Sequence, residues 1–329
     1  MPSNARFQPE PGPCTEHPAA IAWMSCQPHE ASPHTIEVLK TPSGQYPNQK
    51  SRVYRLSGPF SDGSPIYAKL TRAKSVHVER MVYEIILPRL DVSRIRCLGT
   101  LEAEDETAWI FLEEARGVVY EEENALHRRL ASQWLARVHT ETSLMDLSRH
   151  LPGHSAARYW HCLPEGLERI EPNMGNPALT SYEVTTLRRI LKLWQIIERN
   201  WPELEQVCAE MPQCLAHGDF VKKNVRIHRE PGGTAVYALD WDISGWGVPA
   251  VDIERMDLDT YEKGVREYWP HLGLPEIRKM ANTGVILRNL GLIHATAVGL
   301  PYDWVERTMS ELAVYETCLA EAVRHEGWR

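Results

Sequence analysis

The sequence of 329 residues predicts an α+β fold in which a β-rich segment precedes an α-rich one. Up to about residue 115, apolar residues alternate in short runs that are typical of strands. After Gly117 they recur at helical spacing, which is typical of amphipathic helices. We therefore draw the boundary at 114–118 and expect a ligand cleft where the two parts meet.

The predicted divisions of the chain follow from this change of pattern. They are an N-terminal extension that is partly irregular (1–34), a β-rich N-lobe with one helix (35–116) and an α-rich C-lobe (117–329). Within the extension, the run "IAWMS" is expected to form a short strand or a packed turn. The N-terminus has no apolar core, so we expect no signal peptide there.

Five strands and one helix are predicted for the N-lobe. The strands are expected at "TIEVLK", "SRVYRLSG", "SPIYAKLTR", "RIRCLGTLEAE" and "TAWIFLEEARG". Between the third and the fourth, "SVHVERMVYEIILPRL" has helical spacing. Its predicted inward face carries Val78, Val82, Ile85, Ile86 and Leu90.

The C-lobe is predicted to be mainly helical. Amphipathic helices are expected at "EEENALHRRLASQWLARVHT" and "SYEVTTLRRILKLWQIIERNW". The longest apolar run, "TGVILRNLGLIHATAVGL", is interrupted by Arg288, Asn289 and His294. Such a run is typical of a buried helix rather than a membrane span, so no membrane association is expected.

Charge and cysteine content exclude several classes of protein. The net charge of -8 argues against a general nucleic-acid binder, whose surface would be basic, and is compatible with a cationic ligand. Seven cysteines are scattered without a C-x-x-C pair, which fits neither a zinc motif nor a disulfide framework. We expect reduced thiols in a cytoplasmic protein.

The loop "HGDFVKKN" combines a carboxylate and an amide that are five residues apart, Asp219 and Asn224. A carboxylate there can accept a proton from an attacking hydroxyl, and an amide oxygen can bind a divalent cation. A second acidic residue, Asp240 of "LDWD", follows an apolar strand and is a natural further Mg²⁺ ligand. A positioned base together with metal ligands is what phosphoryl transfer requires.

A lysine in the middle of an apolar strand is costly to bury without a partner, and Lys69 of "IYAKL" is such a residue. It would be explained by a cleft in which it meets phosphate. Glu79 shares a helical face with Val82 and Ile86, so we expect it to pair with Lys69. Glu84, the alternative, points about 140° away on the same helix.

The order Lys, helical Glu, D-x4-N and Asp resembles that of the aminoglycoside phosphotransferase / choline kinase superfamily, which shares the protein-kinase fold. "HGDFVKKN" stands at the family's His-Gly-Asp loop, and "LDWDISGWGVPAVDI" resembles its Asp-Trp-Glu stretch. "LARVHT" resembles the end of an early C-lobe helix, and "FLEEARG" the hinge strand. The resemblance implies a two-lobed protein-kinase-like fold and covers roughly 36–325.

The resemblance also implies roles for the site residues. Asp219 would be the catalytic base, and Asn224 and Asp240 would bind Mg²⁺. Lys69 would contact the phosphates of ATP, and Glu79 would orient it. The adenine pocket would be lined by the three hinge residues Glu113, Glu114 and Ala115.

Two features depart from the family pattern. Lys222 and Lys223 stand where the family has small residues or Pro-Gly, and the sequence does not explain them. The phosphate-covering loop is not glycine-rich. It contains only Gly44, so Ser51 is the candidate for the phosphate contact.

The resemblance and the residues together predict an ATP- and Mg²⁺-dependent kinase that phosphorylates a hydroxyl of a small molecule. An aminoglycoside, a choline-like compound, a sugar or a natural product would all be admissible acceptors, including cationic ones. A catalytically silent binding or scaffold protein is the first alternative. A protein kinase is the second, although no Ala-Pro-Glu-like motif follows Asp240.

Overall fold

The chain divides into two units in the computed structural model, which describes residues 6–40, 51–60 and 62–329. One unit comprises the residues up to Val138 together with Asp219–Ser244, and the other comprises His139–Gly218 and Gly245–Arg329. The first unit is built mainly on β-sheet and the second mainly on helices. The domain boundaries expected after residues 34 and 116 remain predictions.

An antiparallel sheet, with six strands among the described residues, is the framework of the first unit; its order is β1-β2-β3-β4-β6-β5. The strands are β1 (Arg6–Pro9), β2 (Thr35–Lys40), β3 (Arg52–Ser57), β4 (Ile66–Arg72), β5 (Cys97–Glu102) and β6 (Thr107–Glu113). In the centre, Lys69 of β4 is paired with Val53 of β3 and with Ile110 of β6. The five strands that the sequence predicts here are confirmed.

Helix α1 (Pro18–Cys26) lies against one face of this sheet, and its Trp23 is 1% exposed. The expectation of a strand or turn at "IAWMS" is therefore wrong. Its first residues stabilise the start of the helix. Nδ1 of His17 accepts a hydrogen bond from the backbone N–H of Ala19, and Pro18 occupies the first helical position. Trp23 packs edge-to-face on Phe111 at 5.4 Å between ring centroids.

The helix predicted after β4 is present but changes its winding. α2 (Ala73–Arg80) continues as a π-helical turn over Met81–Ile86. A π turn adds a residue to each turn and so shifts which side chains face inward. Ile85, expected inside, is 42% exposed, whereas Tyr83 is buried.

The remaining strands are short and form two further sheets in the described chain. Their orders are β11-β10-β7 in the first unit and β8-β12-β9 in the second. The strands are β7 (Val118–Val119), β8 (Gly153–His154), β9 (Cys214–Ala216), β10 (Val225–Glu230), β11 (Gly233–Ala238) and β12 (Gly245–Gly247). The hairpin β10–β11 pairs Val225 with Ala238. This register brings the residues that precede β10 close to those that follow β11.

The second unit is mainly helical, as predicted. The helices from residue 125 onward are α3 (Ala125–Ser143), which both units share, α4 (Ala156–Trp160), α5 (Cys162–Ile170), α6 (Ser181–Arg199), α7 (Trp201–Glu210), α8 (Ala250–Ile253), α9 (Leu258–Val265), α10 (Leu274–Thr296) and α11 (Glu306–His325). The two amphipathic helices predicted from their periodicity correspond to α3 and α6.

The longest apolar run lies in α10, the buried helix that the sequence predicts. At Gly284 this helix passes so close to α8 that an added Cβ would lie 2.0 Å from the carbonyl oxygen of Ala250. Only a glycine permits that approach. Over the part of the chain that the structure describes, every helix is too short or too polar to cross a membrane.

Candidate active site

Lys69 of β4 is the centre of a buried ionic cluster in the first unit. Its Nζ donates to Oε1 of Glu79 on α2 and to Oδ1 of Asp240, which follows β11. Lys69 is 8% exposed and Glu79 is fully buried. The predicted contact between Lys69 and Glu79 is present, and Glu84 instead pairs with Arg80 at 2.8 Å.

The charges of this cluster depend on one another. Burial by itself lowers the pKa of the Lys69 ammonium, but the carboxylates of Glu79 and Asp240 outweigh it and raise that pKa. Burial raises the pKa of the Glu79 carboxyl, and the positive charge of Lys69 lowers it by a smaller amount. Lys69 is therefore held in its charged form by two anionic neighbours.

Asp240 has an unusual backbone, with a φ of 66°. A residue other than glycine rarely adopts this left-handed conformation, and such strain concentrates at functional sites. Trp241 is fully buried, and the carboxylates on either side of it, those of Asp240 and Asp242, lie in one cluster with Glu79. One oxygen from each of the three carboxylates lies within 4.8 Å of the others.

Asp242 is the member of this cluster that the sequence analysis did not choose. Burial raises the pKa of its carboxyl, and the nearby charge of Asp240 raises it further. The signal in "LDWD" is its second carboxylate, two residues after Asp240. The structure therefore adds a third candidate ligand to the predicted pair of Asn224 and Asp240.

Asp219 and Asn224 lie together in the loop before β10, as predicted. Nδ2 of Asn224 donates to the backbone oxygen of Asp219 at 2.9 Å and to its Oδ2 at 3.1 Å. Asn224 is buried, and its backbone oxygen accepts a hydrogen bond from the N–H of Leu239 at 2.8 Å. This bond joins the Asp219 loop to the residue that precedes Asp240.

The two lysines of the loop behave differently. Nζ of Lys223 lies 2.7 Å from Oδ2 of Asp219, and the Lys223 side chain is 45% exposed. The Lys222 residue is exposed. Lys223 is therefore a direct neighbour of the predicted base, and the Asp219 carboxylate contacts both an ammonium and an amide.

The chain just before Asp219 is held by a buried carboxylate of the second unit. Oδ2 of Asp252 accepts from the backbone N–H of His217 at 2.6 Å, and its Oδ1 accepts from that of Gly218 at 2.8 Å. Burial by itself raises the pKa of Asp252, but its hydrogen bond with His139 and the charges of nearby histidines bring it below its ordinary value. Asp252 therefore has a structural role, because it holds the backbone that leads into Asp219.

Of the three predicted hinge residues, Glu113 is the last residue of β6, and Glu114 and Ala115 follow it directly. Both carboxylate oxygens of Glu113 accept hydrogen bonds from Arg96 at 2.7 Å, and Oε1 of Glu114 accepts from the hydroxyl of Tyr67 at 3.5 Å. Ala115 is half-buried. Glu113 and Glu114 also line a cavity of about 820 Å³ whose walls include none of the residues of the Lys69 cluster.

Ser51 directly precedes β3 and is half-buried. The expected phosphate-covering segment before it, with Gly44, lies outside the described residues. The structure therefore brings Lys69, Glu79 and Asp240 together and Asp219 with Asn224.

A comparison with protein families finds one family that matches this chain. The sequence model described as "Phosphotransferase enzyme family" matches residues 52–272, about two thirds of the chain. The chain belongs to the phosphotransferase enzyme family. The resemblance inferred from its motifs is thus confirmed. No curated protein matches this phosphotransferase in sequence.

Solved structures resemble this phosphotransferase in fold at low sequence identity. The GDP and kanamycin complex of APH(2")-IIia has a TM-score of 0.63 and 13% identity over 93% of this chain and 98% of its own. A ternary complex of aminoglycoside phosphotransferase APH(4)-Ia with ADP and hygromycin B has a TM-score of 0.53 and 14% identity over 89% and 94%. Plasmodium vivax ethanolamine kinase has a TM-score of 0.52 and 14% identity over 83% and 79%.

These likenesses confirm the predicted α+β, protein-kinase-like fold, with an antiparallel sheet in the N-lobe and helices in the C-lobe. The family match identifies this chain as a phosphotransferase.

Several acidic residues of the second unit pair with basic side chains or cap a helix. Glu254 is largely buried and pairs with Arg255 at 3.1 Å and with Arg288 at 3.2 Å. Asp257 caps α9, and Glu262 pairs with Arg266 at 2.7 Å. These carboxylates therefore have partners within the chain.

Proposed function

We propose that this protein transfers the γ-phosphoryl group of ATP, with Mg²⁺, to a hydroxyl of a small molecule. One observation supports this most strongly: the Lys69 ammonium contacts Glu79 and Asp240 at once, in the unit that also carries Asp219 and Asn224. A lysine between a helical carboxylate and a second carboxylate is the arrangement that phosphoryl transfer uses to bind phosphates.

The residues fit a divalent cation in their chemistry. Mg²⁺ is bound by oxygen ligands, and three carboxylates, those of Glu79, Asp240 and Asp242, lie close to one another. Burial and mutual repulsion raise the pKa of Asp242, so this group of anions gains from a nearby cation. We infer that Asp240, Asp242 and Asn224 hold the Mg²⁺, which would neutralise charge on the phosphates.

Asp219 is the residue that we assign as the base. The acceptor hydroxyl gives its proton to the Asp219 carboxylate while its oxygen bonds to the transferred phosphorus and the bond to the leaving diphosphate breaks. Asn224 donates to both the backbone and the side chain of Asp219, and so fixes where that carboxylate points. Lys223 supplies a positive charge next to it.

Lys69 is assigned to the phosphates of the nucleotide, with Glu79 as its orienting partner. Because Glu79 is fully buried, its position varies little, and the ion pair fixes Nζ of Lys69. We further assign Glu113, Glu114 and Ala115 to the purine end of the nucleotide, and Ser51 to a phosphate contact, as the family resemblance implies.

The acceptor that we propose is an alcohol that also carries an amine. Structures of similar fold include a kanamycin complex, a hygromycin B complex and an ethanolamine kinase. The net charge of -8 suits a cationic acceptor. All seven cysteines are free thiols, which suits the reducing cytoplasm that we propose as its location.

The test is a screen for nucleotide hydrolysis that depends on an acceptor. Purified protein is offered ATP or GTP with Mg²⁺ and a panel of aminoglycosides, amino alcohols and sugars, and phosphorylated product is identified by mass spectrometry. We expect Asp219→Asn to lower turnover of the best acceptor by about 10²–10⁴-fold, the usual contribution of a general base.

Asp303→Asn is the matched control, since it makes the same change at an exposed position. It should leave turnover as it is, and Asp219→Asn should still give a nucleotide-dependent thermal shift. Wild-type turnover in Asp219→Asn would refute the assignment of the base. Loss of Mg²⁺-dependent nucleotide binding in Asp240→Asn, measured by calorimetry, would support the metal assignment.

A further inference from the structure

A second group of ligand-type side chains lies in the helical unit, outside the candidate active site. His161 and Cys162 stand at the start of α5, and His294 lies near the end of α10, 132 residues after Cys162. One ligand atom from each of the three lies within 4.8 Å of the others. The distance from Nε2 of His161 to Sγ of Cys162 is 3.9 Å, and the two histidine rings meet edge-to-face with centroids 5.5 Å apart.

A carboxylate already orients one of these histidines. Oε2 of Glu165, on the next turn of α5, lies 2.9 Å from Nε2 of His294. Arg169 donates to the backbone oxygen of His294 at 2.8 Å, which holds this end of α10 against α5. Histidines that bind metals are commonly fixed by a carboxylate on one ring nitrogen, and the other nitrogen is then available to the ion.

The two kinds of group differ in how readily they bind a metal: a neutral imidazole binds directly, whereas the thiol must first lose its proton. Burial, followed by the charge of Arg169, lowers the pKa of His294, so its ring is neutral near pH 7 and has a free electron pair. Burial raises the pKa of the Cys162 thiol to about 11. A bound divalent ion would take the sulfur as thiolate, with loss of the S–H proton to water and formation of a metal–sulfur bond.

Charged residues near these three side chains include some that oppose a bound cation and one that favours it. Arg158 and Arg169 act on Cys162 as positive charges, which oppose a cation. The Cys162 thiolate and the Glu165 carboxylate together would balance a charge of two. The site therefore requires the thiolate, which makes Cys162 the residue on which a test should focus.

We propose that His161, Cys162 and His294 bind one zinc ion that joins α5 to α10. Two imidazoles and a thiolate are ligands that Zn²⁺ prefers, and three protein ligands leave a fourth position for water. Zn–S and Zn–N bonds of about 2.3 Å and 2.0 Å place the sulfur and nitrogen roughly 3.5 Å apart in a tetrahedron. The observed 3.9 Å is close to that value. This inference goes beyond the proposed phosphoryl transfer and does not depend on it.

The test uses the full chain, freed of metal by a chelator and then titrated with Co²⁺ as a spectroscopic substitute for Zn²⁺. We expect one equivalent of Co²⁺ to give the strong near-ultraviolet absorption of a thiolate–Co²⁺ bond, and Zn²⁺ to remove it by displacement. Ions at the carboxylates of the first unit give no such absorption, because no sulfur ligand lies in that cluster.

Cys162→Ser should abolish the thiolate absorption, and His294→Gln serves as an independent ligand variant. Cys208→Ser is the matched control: Cys208 is equally buried, has a pKa that burial also raises to about 11, and belongs to no such ligand group among the described residues. We expect it to bind as the wild type does. Glu165→Gln should weaken Zn²⁺ binding by about 10–100-fold.

The proposal is overturned if wild-type protein gives no thiolate absorption with Co²⁺, or if the absorption persists in Cys162→Ser. Neither result bears on phosphoryl transfer, which is measured separately with Mg²⁺ and nucleotide.

Discussion

The ammonium of Lys223 lies 2.7 Å from Oδ2 of Asp219, four residues earlier in the same loop. The sequence alone does not explain this lysine, which stands where the family has small residues or Pro-Gly. Its position makes it the cation nearest to the proposed base among the contacts described for that carboxylate. Asp219 therefore has two partners from its own loop, Lys223 and Asn224.

Lys223→Met should lower kcat more than it raises KM for the acceptor, because the lost charge acts on the base and not on substrate uptake. We expect a fall of about 10²–10³-fold in kcat, the usual loss when one group that stabilises transition-state charge is removed. Lys223→Arg should recover part of the rate. Lys222→Met, in an exposed neighbour, is the control. Equal activities in the two methionine variants would exclude a role for Lys223.

Lys69→Met should destabilise the protein as well as inactivate it. It leaves the fully buried Glu79 without its ammonium partner, and breaking a buried pair in this way typically costs about 3–5 kcal/mol. The double variant Lys69→Met/Glu79→Leu removes both charges and should regain much of that stability while it stays inactive. Urea unfolding and turnover separate the two effects. A double variant less stable than the single one would contradict this account.

Asp252→Asn should destabilise the segment that leads into Asp219. Both Asp252 oxygens accept backbone N–H groups, and an amide can present only one oxygen, so a donor would face a donor. We expect a loss of about 2–4 kcal/mol in the free energy of unfolding, together with lower turnover. Asp259→Asn, at an exposed position, is the matched control. Unchanged stability in Asp252→Asn would show that these bonds contribute little.

His154 should make the protein less stable as the pH falls. Burial, with help from the charge of Arg158, lowers its pKa to about 4, although Asp252 opposes the shift. In the unfolded chain a histidine has a pKa of about 6.5, so below that pH the unfolded chain binds a proton and the folded chain does not. The free energy of unfolding therefore falls as the pH drops from about 6.5 to about 4. The loss from this group amounts to roughly 3 kcal/mol at most.

His154→Phe should flatten the pH dependence of the urea midpoint in that window, since phenylalanine keeps an aromatic ring but does not titrate. His150→Gln, at an exposed position, should leave it as in the wild type. A slope that is the same in His154→Phe and in the wild type would assign the effect to other groups.

Local patterns predicted most of the sheet and the pairing of Lys69 with Glu79, whereas the contact of Lys69 with Asp240, 171 residues away, was not predicted. Alternation sets the strands, and helical geometry alone selects Glu79 over Glu84 as the partner of Lys69. Asp219 and Asn224 are five residues apart, so their contact depends on a single turn. Short-range geometry of this kind is encoded in the sequence itself.

Features that depend on winding or on distant partners were not predictable in the same way. Ile85 faces out because a π turn changes the helical period, and periodicity arguments assume a constant one. Cys162 and His294 are 132 residues apart, so no local spacing rule could join them. The helix α1 was missed because its short apolar run fits either a strand or a helix, and only the cap at His17 distinguishes them.

The packing of Trp23 on Phe111 affects how the chain folds during its synthesis on the ribosome. The two residues are 88 positions apart, so at about 5–20 residues per second the indole waits roughly 4–18 s before its partner strand is made. During that interval α1 can neither bury Trp23 nor complete its side of the sheet. The emerging N-terminal segment therefore exposes an apolar indole for several seconds, which favours aggregation. A chaperone that binds this segment during synthesis would raise the yield of folded protein.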